Sequence, residues 1–180
     1  MSKILTEVSK TSAGPLFLRM KAGIPYAETL AELTRAEMML GDLVGFEHHA
    51  LMQRYFASYM ELRFWALTKA VWASRCTHIL EVAAGFSPRG LIVSEQSRLN
   101  YIETDLPLMI NAKQKVVEQI SYHRPNLQFA AADVLDLDSL HNAKAQLGGG
   151  APMALTSAAR PPGATAASSC ALLSSRKRPW

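Results

Sequence analysis

The chain has 180 residues, 49% of them hydrophobic, which suits one globular domain with a sizeable core and is too short for two. Its formal charge of +4 is local: residues 1–147 hold 15 Lys and Arg against all 15 Asp and Glu, and the excess comes from Arg160, Arg176, Lys177 and Arg178. A neutral body argues against a nucleic-acid surface, Cys76 and Cys170 form no disulfide framework, and no apolar run reaches the 18 residues a membrane span requires.

With no signal segment recognised at the N-terminus, the expected location is the cytoplasm. Residues 1–24 read as a mixed extension punctuated by Gly14-Pro15 and Gly23, with a small apolar patch from Pro15 to Met20. Pro25 opens a helical pattern in which Ala27, Leu30, Leu33 and Met38 share a face, ended by Gly41 and Gly45. A longer helical stretch, from Glu47 to about Ser74, carries Tyr55, Phe56, Tyr59, Phe64, Trp65 and Trp72 around most of its circumference and is expected to pack on two sides. Arg63 interrupts it, either snorkelling to solvent or serving the turn that follows. His48 and His49 are adjacent and point about 100° apart on a helix, and His78, His123 and His141 have no ligand-like companions, so no metal site is expected.

Ile79 to Ala83 is a short apolar run with β-branched residues, read as a buried parallel strand. Ala83-Ala84-Gly85 supplies small side chains and one residue free to take positive φ, so the backbone can turn tightly and approach a ligand. Ser87 and Pro88 suit the start of a helix reaching Gln96, whose amides would face the turn. A second strand, Leu99 to Ile102, leads into Glu103 and Asp105, and Asp105 falls 20 residues after Gly85. An acid at the tip of the second strand is placed to accept hydrogen bonds from ribose hydroxyls; its plain alternative is to cap the helix from Leu106 to about His123. A third strand, Leu127 to Ala131, runs into Asp133, which either meets an adenine amine or caps a turn. A last helix, Asp138 to Gln146, stops at Gly148-Gly149-Gly150.

Two cofactor classes use a strand, a glycine turn and an acid so spaced. Dinucleotide binders want G-x-G-x-x-G for the pyrophosphate, of which only Gly85 is present, so a nicotinamide-dependent oxidoreductase is disfavoured. S-adenosylmethionine carries no phosphate and tolerates a looser turn, and Glu81-Val82-Ala83-Ala84-Gly85-Phe86-Ser87 fits that pattern with its central glycine kept. Beyond Leu147 the composition changes: residues 151–180 contain no Ile, Val, Phe or Tyr. Such a segment is expected to form no strand and to remain disordered. The shift looks like a chain read out of frame, or an alternative end. The expected fold class is therefore α/β, a partial Rossmann-like parallel sheet with three recognisable strands, N-terminal helices and a disordered C-terminal tail. Its divisions are an extension (1–24), a partial catalytic domain with a helical cap (25–147) and the tail (148–180).

Over residues 25–147 the chain resembles the leucine carboxyl methyltransferase family of class I S-adenosylmethionine-dependent methyltransferases, which includes O-methyltransferases of polyketide pathways. The matching elements are a long helix with an arginine before the first strand, Glu81-Val-Ala-Ala-Gly-Phe-Ser-Pro-Arg-Gly90, Tyr101-Ile-Glu-Thr-Asp-Leu-Pro107 and Ala131-Ala-Asp-Val-Leu-Asp136. The resemblance implies O-methyl transfer to a carboxyl or hydroxyl of a small-molecule acceptor. It also implies that Arg63 pairs with the methionine carboxylate, Gly85 passes under the methionine part, Asp105 holds the ribose with Glu103 a lesser candidate, Asp133 meets the adenine amine, and Glu81 orients the turn or the amino group. Methyl transfer requires no nucleophilic side chain, and the sequence displays no convincing catalytic acid or base, so none is named. Members of the family continue into further hydrophobic strands that carry the acceptor pocket; the expectation is that this chain lacks them, leaving half a cofactor site and an exposed sheet edge. The alternative is a non-catalytic interaction protein on a remnant Rossmann fold, with the aromatic helix at 47–74 as its adhesive surface.

Overall fold

The computed structural model of the protein describes residues 3–37, 50–120, 124–148, 153–157 and 170–173. Helices α1 (Lys3–Lys21), α2 (Ala27–Thr34) and α3 (Ala50–Ala73) precede the sheet. Then β1 (His78–Val82), α4 (Arg89–Val93), β2 (Asn100–Asp105), α5 (Pro107–Ile120), β3 (Leu127–Ala131) and α6 (Leu137–Ala145) alternate, and β4 (Met153–Ser157) and β5 (Cys170–Leu173) close the series.

The strands lie in the order β3-β2-β1-β4-β5. Four run parallel, with Leu80 opposite Ile102 on one side and Leu155 on the other, while β5 is antiparallel to β4. The chain builds outward from β1 through β2 to β3 and then returns to the other side of β1, so the β1/β4 boundary is a topological switch point. In open α/β sheets the crevice beyond such a point receives ligands. The expected α/β class and the three expected strands are thus present.

Alternation along the strands assigns two faces. Ile79, Tyr101, Leu127 and Ala154 point toward α1 to α5 and share a core with Leu16, Leu30, Phe64, Leu91, Met109 and Val117. Leu80, Val82, Ile102 and Ala130 point the other way, onto Ala143 of α6 and Leu147. No helix among the described residues is long and apolar enough to cross a membrane.

Several expectations are corrected. Residues 151–180 were expected to hold no strand, yet β4 and β5 lie there, and β4 covers the edge of β1 that was expected to be exposed. The physical reason is context. Met153-Ala-Leu-Thr-Ser157 has little strand propensity of its own, but between β1 and β5 it gains ladder partners on both sides and buries Ala154 and Thr156. Residues 3–21 are one helix running through Gly14-Pro15, because Ala13, Leu16 and Phe17 are buried and their packing outweighs the local cost of an internal proline. The helix opened by Pro25 ends at Arg35, whose left-handed φ of 53° stops it; Gly41 and Gly45 lie outside the described residues. The aromatic helix is packed on one side, burying Ala57, Met60, Phe64, Leu67 and Val71 and exposing Leu51, Tyr55 and Leu62. The second strand runs on to Asp105, because Thr104 and Asp105 pair with β3.

Candidate functional site

The site is built where β1 stops. Ala83 and Gly85 both take φ of 50°, so the strand turns through two left-handed residues, one of them carrying a side chain. Left-handed backbone is free for glycine and costs an alanine on the order of 1 kcal/mol. Ser87 N donates to Ala84 O at 3.0 Å and Ala84 N to Thr104 O at 3.0 Å, which ties the turn to the neighbouring strand.

Asp105 faces this turn. Its Oδ2 accepts from Gly85 N at 2.7 Å and its Oδ1 from Leu106 N at 2.8 Å. The side chain remains partly exposed, and each carboxylate oxygen has a second lone pair for a ligand hydroxyl. The acid therefore faces the glycine turn, while its second oxygen meets the amide of Leu106, the residue before the next helix, rather than an amide of that helix's first turn. Asp133 is exposed beyond the end of β3, where its Oδ1 accepts from Leu135 N at 2.9 Å, and Ala132 N donates to Asp105 O at 2.9 Å. The acids at 105 and 133 thus border the carboxyl ends of adjacent strands.

Glu81 and Glu103 lie elsewhere. Both point into the helix-covered face and are buried. Glu81 pairs with Arg89, accepts from Tyr101 Oη at 2.8 Å, and so has both oxygens engaged beneath the turn. Arg89 also donates to Thr68 Oγ1 at 3.3 Å and lies 5.1 Å over the Phe64 ring, which locks α4 to α3. Glu103 Oε1 accepts from Gly90 N at 3.1 Å; Lys113 Nζ lies 2.6 Å from Oε2, off the hydrogen-bonding direction, and donates to Ser87 O at 2.7 Å. Burial pushes the Glu103 carboxyl up to about 7, against the pull of Lys113. Burial and the neighbouring Glu81 charge raise the Tyr101 hydroxyl well above its usual value. These acids hold the start of α4 and the turn in place from below, and neither is directed at a ligand crossing it.

Arg63 sits half-buried on α3, near enough to Arg19 for the two charges to affect each other. Gly90, Arg89, Tyr101 and Lys113 were not anticipated as parts of the site. The Pro-Arg-Gly sequence after the turn was the available signal, since a glycine there lets a helix approach a strand closely. Among the described residues no group of His, Cys, Asp and Glu could hold a metal ion, and His48, His49 and His123 lie outside them. Compared with known proteins, the chain matches no family model and no curated sequence.

Proposed function

We propose that the protein is an S-adenosylmethionine-dependent methyltransferase acting on an oxygen of a small acceptor. The observation that carries this is the Asp105 carboxylate, turned onto the Gly85 amide at 2.7 Å at the tip of two adjacent parallel strands. A nucleoside laid across those tips would place its sugar hydroxyls against Asp105, its base toward Asp133, and its amino-acid end along the Gly85 turn toward Arg63. The one-glycine turn suits a ligand without a pyrophosphate. The residues present fit that group at Asp105, Gly85 and Asp133, while Glu81 and Glu103 serve it only by supporting the turn.

When bound, the cofactor would supply an electrophilic methyl group, passed in line to the acceptor oxygen as its bond to sulfur breaks and S-adenosylhomocysteine leaves, with a hydroxyl acceptor losing its proton to solvent. What the chain contributes is position and exclusion of water, which suffice for such a displacement. Thermal denaturation with S-adenosylhomocysteine against NAD tests the reading, since a ligand raises the midpoint as its concentration exceeds its dissociation constant. A rise with the homocysteine compound alone is expected; a rise with NAD alone would replace it with a dinucleotide enzyme.

The exposed apolar face of α3, with Leu51 80% and Leu62 71% accessible, favours a second reading, a protein-interaction module on the same fold. No response to either compound would leave that one in place.

A further inference from the structure

Helix α3 carries two apolar rows. Ala57, Met60, Phe64, Leu67 and Val71, at alternating intervals of three and four residues, are buried against the rest of the fold. Met52, Tyr55, Tyr59 and Leu62 repeat that alternation on the opposite side of the helix, and they and the adjoining Leu51 are each at least 39% accessible. A three-four alternation is the seam along which one helix packs lengthwise on another, and on the side facing solvent it serves nothing within the single chain. Large apolar side chains gathered in one exposed row mark a place where a partner sits.

Charge and symmetry along this row identify the partner. Arg54 and Glu61 lie seven residues apart on one flank, both exposed, and neither makes an ion pair among the described residues. In a parallel pairing of two copies each would stand beside its own like charge. Turned antiparallel about a two-fold axis at residue 57, Met52 of one copy meets Leu62 of the other, Tyr55 meets Tyr59, and at the rim Arg54 faces Glu61, with every contact made twice. A membrane surface would instead favour a basic flank, and here one arginine is balanced by one glutamate.

We propose that the protein pairs with a second copy of itself through this side of α3, helix against helix and antiparallel. The proposal deepens the interaction reading but rests on the exposed row alone, so it holds equally for an enzyme. From residue 52 to residue 62 the row covers about 15 Å of a helix about 10–12 Å wide. That patch falls well short of the roughly 800 Å² per partner of a stable complex, so the dimer forms reversibly as concentration rises.

Sedimentation velocity of the full chain from about 5 to about 500 μM tests this: the mass should rise from one chain toward two and go no further, because a two-fold interface closes on itself. Leu62→Glu, at an exposed position, should keep the melting temperature that wild type shows at its lowest concentration and weaken pairing at least about tenfold. Oxidative cross-linking, scored against wild type, reads the orientation. Met52→Cys and Leu62→Cys proteins should form a disulfide when mixed and not when separate, because antiparallel pairing leaves two copies of either position about 15 Å apart, beyond disulfide reach. A single-chain mass at every concentration, growth past two chains, undiminished pairing in Leu62→Glu, or cross-linking within either cysteine variant alone would each overturn the proposal. The interaction reading itself falls when S-adenosylhomocysteine raises the melting temperature, so the two failures are told apart by different measurements.

Discussion

Replacing Gly90 with alanine isolates how α4 is fitted to the sheet. A Cβ there would fall inside the Glu103 carboxylate, 2.7 Å from its Cδ, and 2.9 Å from Leu127 Cδ1. The carboxylate cannot swing away freely, because Gly90 N holds Oε1 at 3.1 Å and Lys113 Nζ lies 2.6 Å from Oε2. Either Glu103 retreats and loosens a buried ion pair, or α4 lifts off β2. Overpacking of this kind costs about 1–3 kcal/mol. Complete loss of a buried partner costs about 3–5 kcal/mol, of which a retreat would forfeit a fraction. Together they suggest a net loss of about 2–4 kcal/mol for Gly90→Ala, lowering the melting temperature by roughly 5–15 °C in a chain of this size. Helix propensity acts in the opposite direction, favouring alanine by up to about 1 kcal/mol. The sign of the change therefore decides, and urea denaturation reads it directly. Gly85→Ala is the control: its φ is 50° but its nearest neighbour would be an ordinary 3.5 Å contact, so about 1 kcal/mol is expected. Gly90→Ala as stable as wild type would show that the helix is not clamped to the strand by Glu103.

Ala83→Gly should be neutral or stabilising by up to about 1 kcal/mol, because Ala83 holds φ at 50°, whereas Ala112→Gly inside α5 should cost about 1 kcal/mol; equal losses in denaturant would contradict the strain at Ala83. Stability should depend on pH through Glu103, whose folded value of about 7 exceeds its unfolded one near 4.5. The folded state then binds the extra proton between those values, so this group's contribution falls as pH rises from about 4.5 to about 7, by at most roughly 3 kcal/mol. Glu103→Gln should lack that slope, and parallel stability curves for the two proteins across this window would refute it. Asp105→Ala and Gly85→Val should each weaken S-adenosylhomocysteine binding by about tenfold or more, and unchanged affinity in both folded variants would dismiss the site.

The chain itself determined the alternation of strands and helices from residue 78 to 145. The apolar runs at Ile79 and Leu127 and the breaks at Gly85 and Pro125 are local signals, and the link between Gly85 and Asp105 was legible because a strand pair of that spacing brings the two together. Where Glu81 and Glu103 point was not legible. A residue near a strand end faces either the ligand or the core according to which side the helices cover, and only the packing of α1 to α5 settles that. The same holds for β4: five residues of low propensity became a central strand because β1 offered them an open ladder. Arg19 was invisible for a related reason, since a lone arginine on a helix announces nothing until neighbouring elements remove it from water.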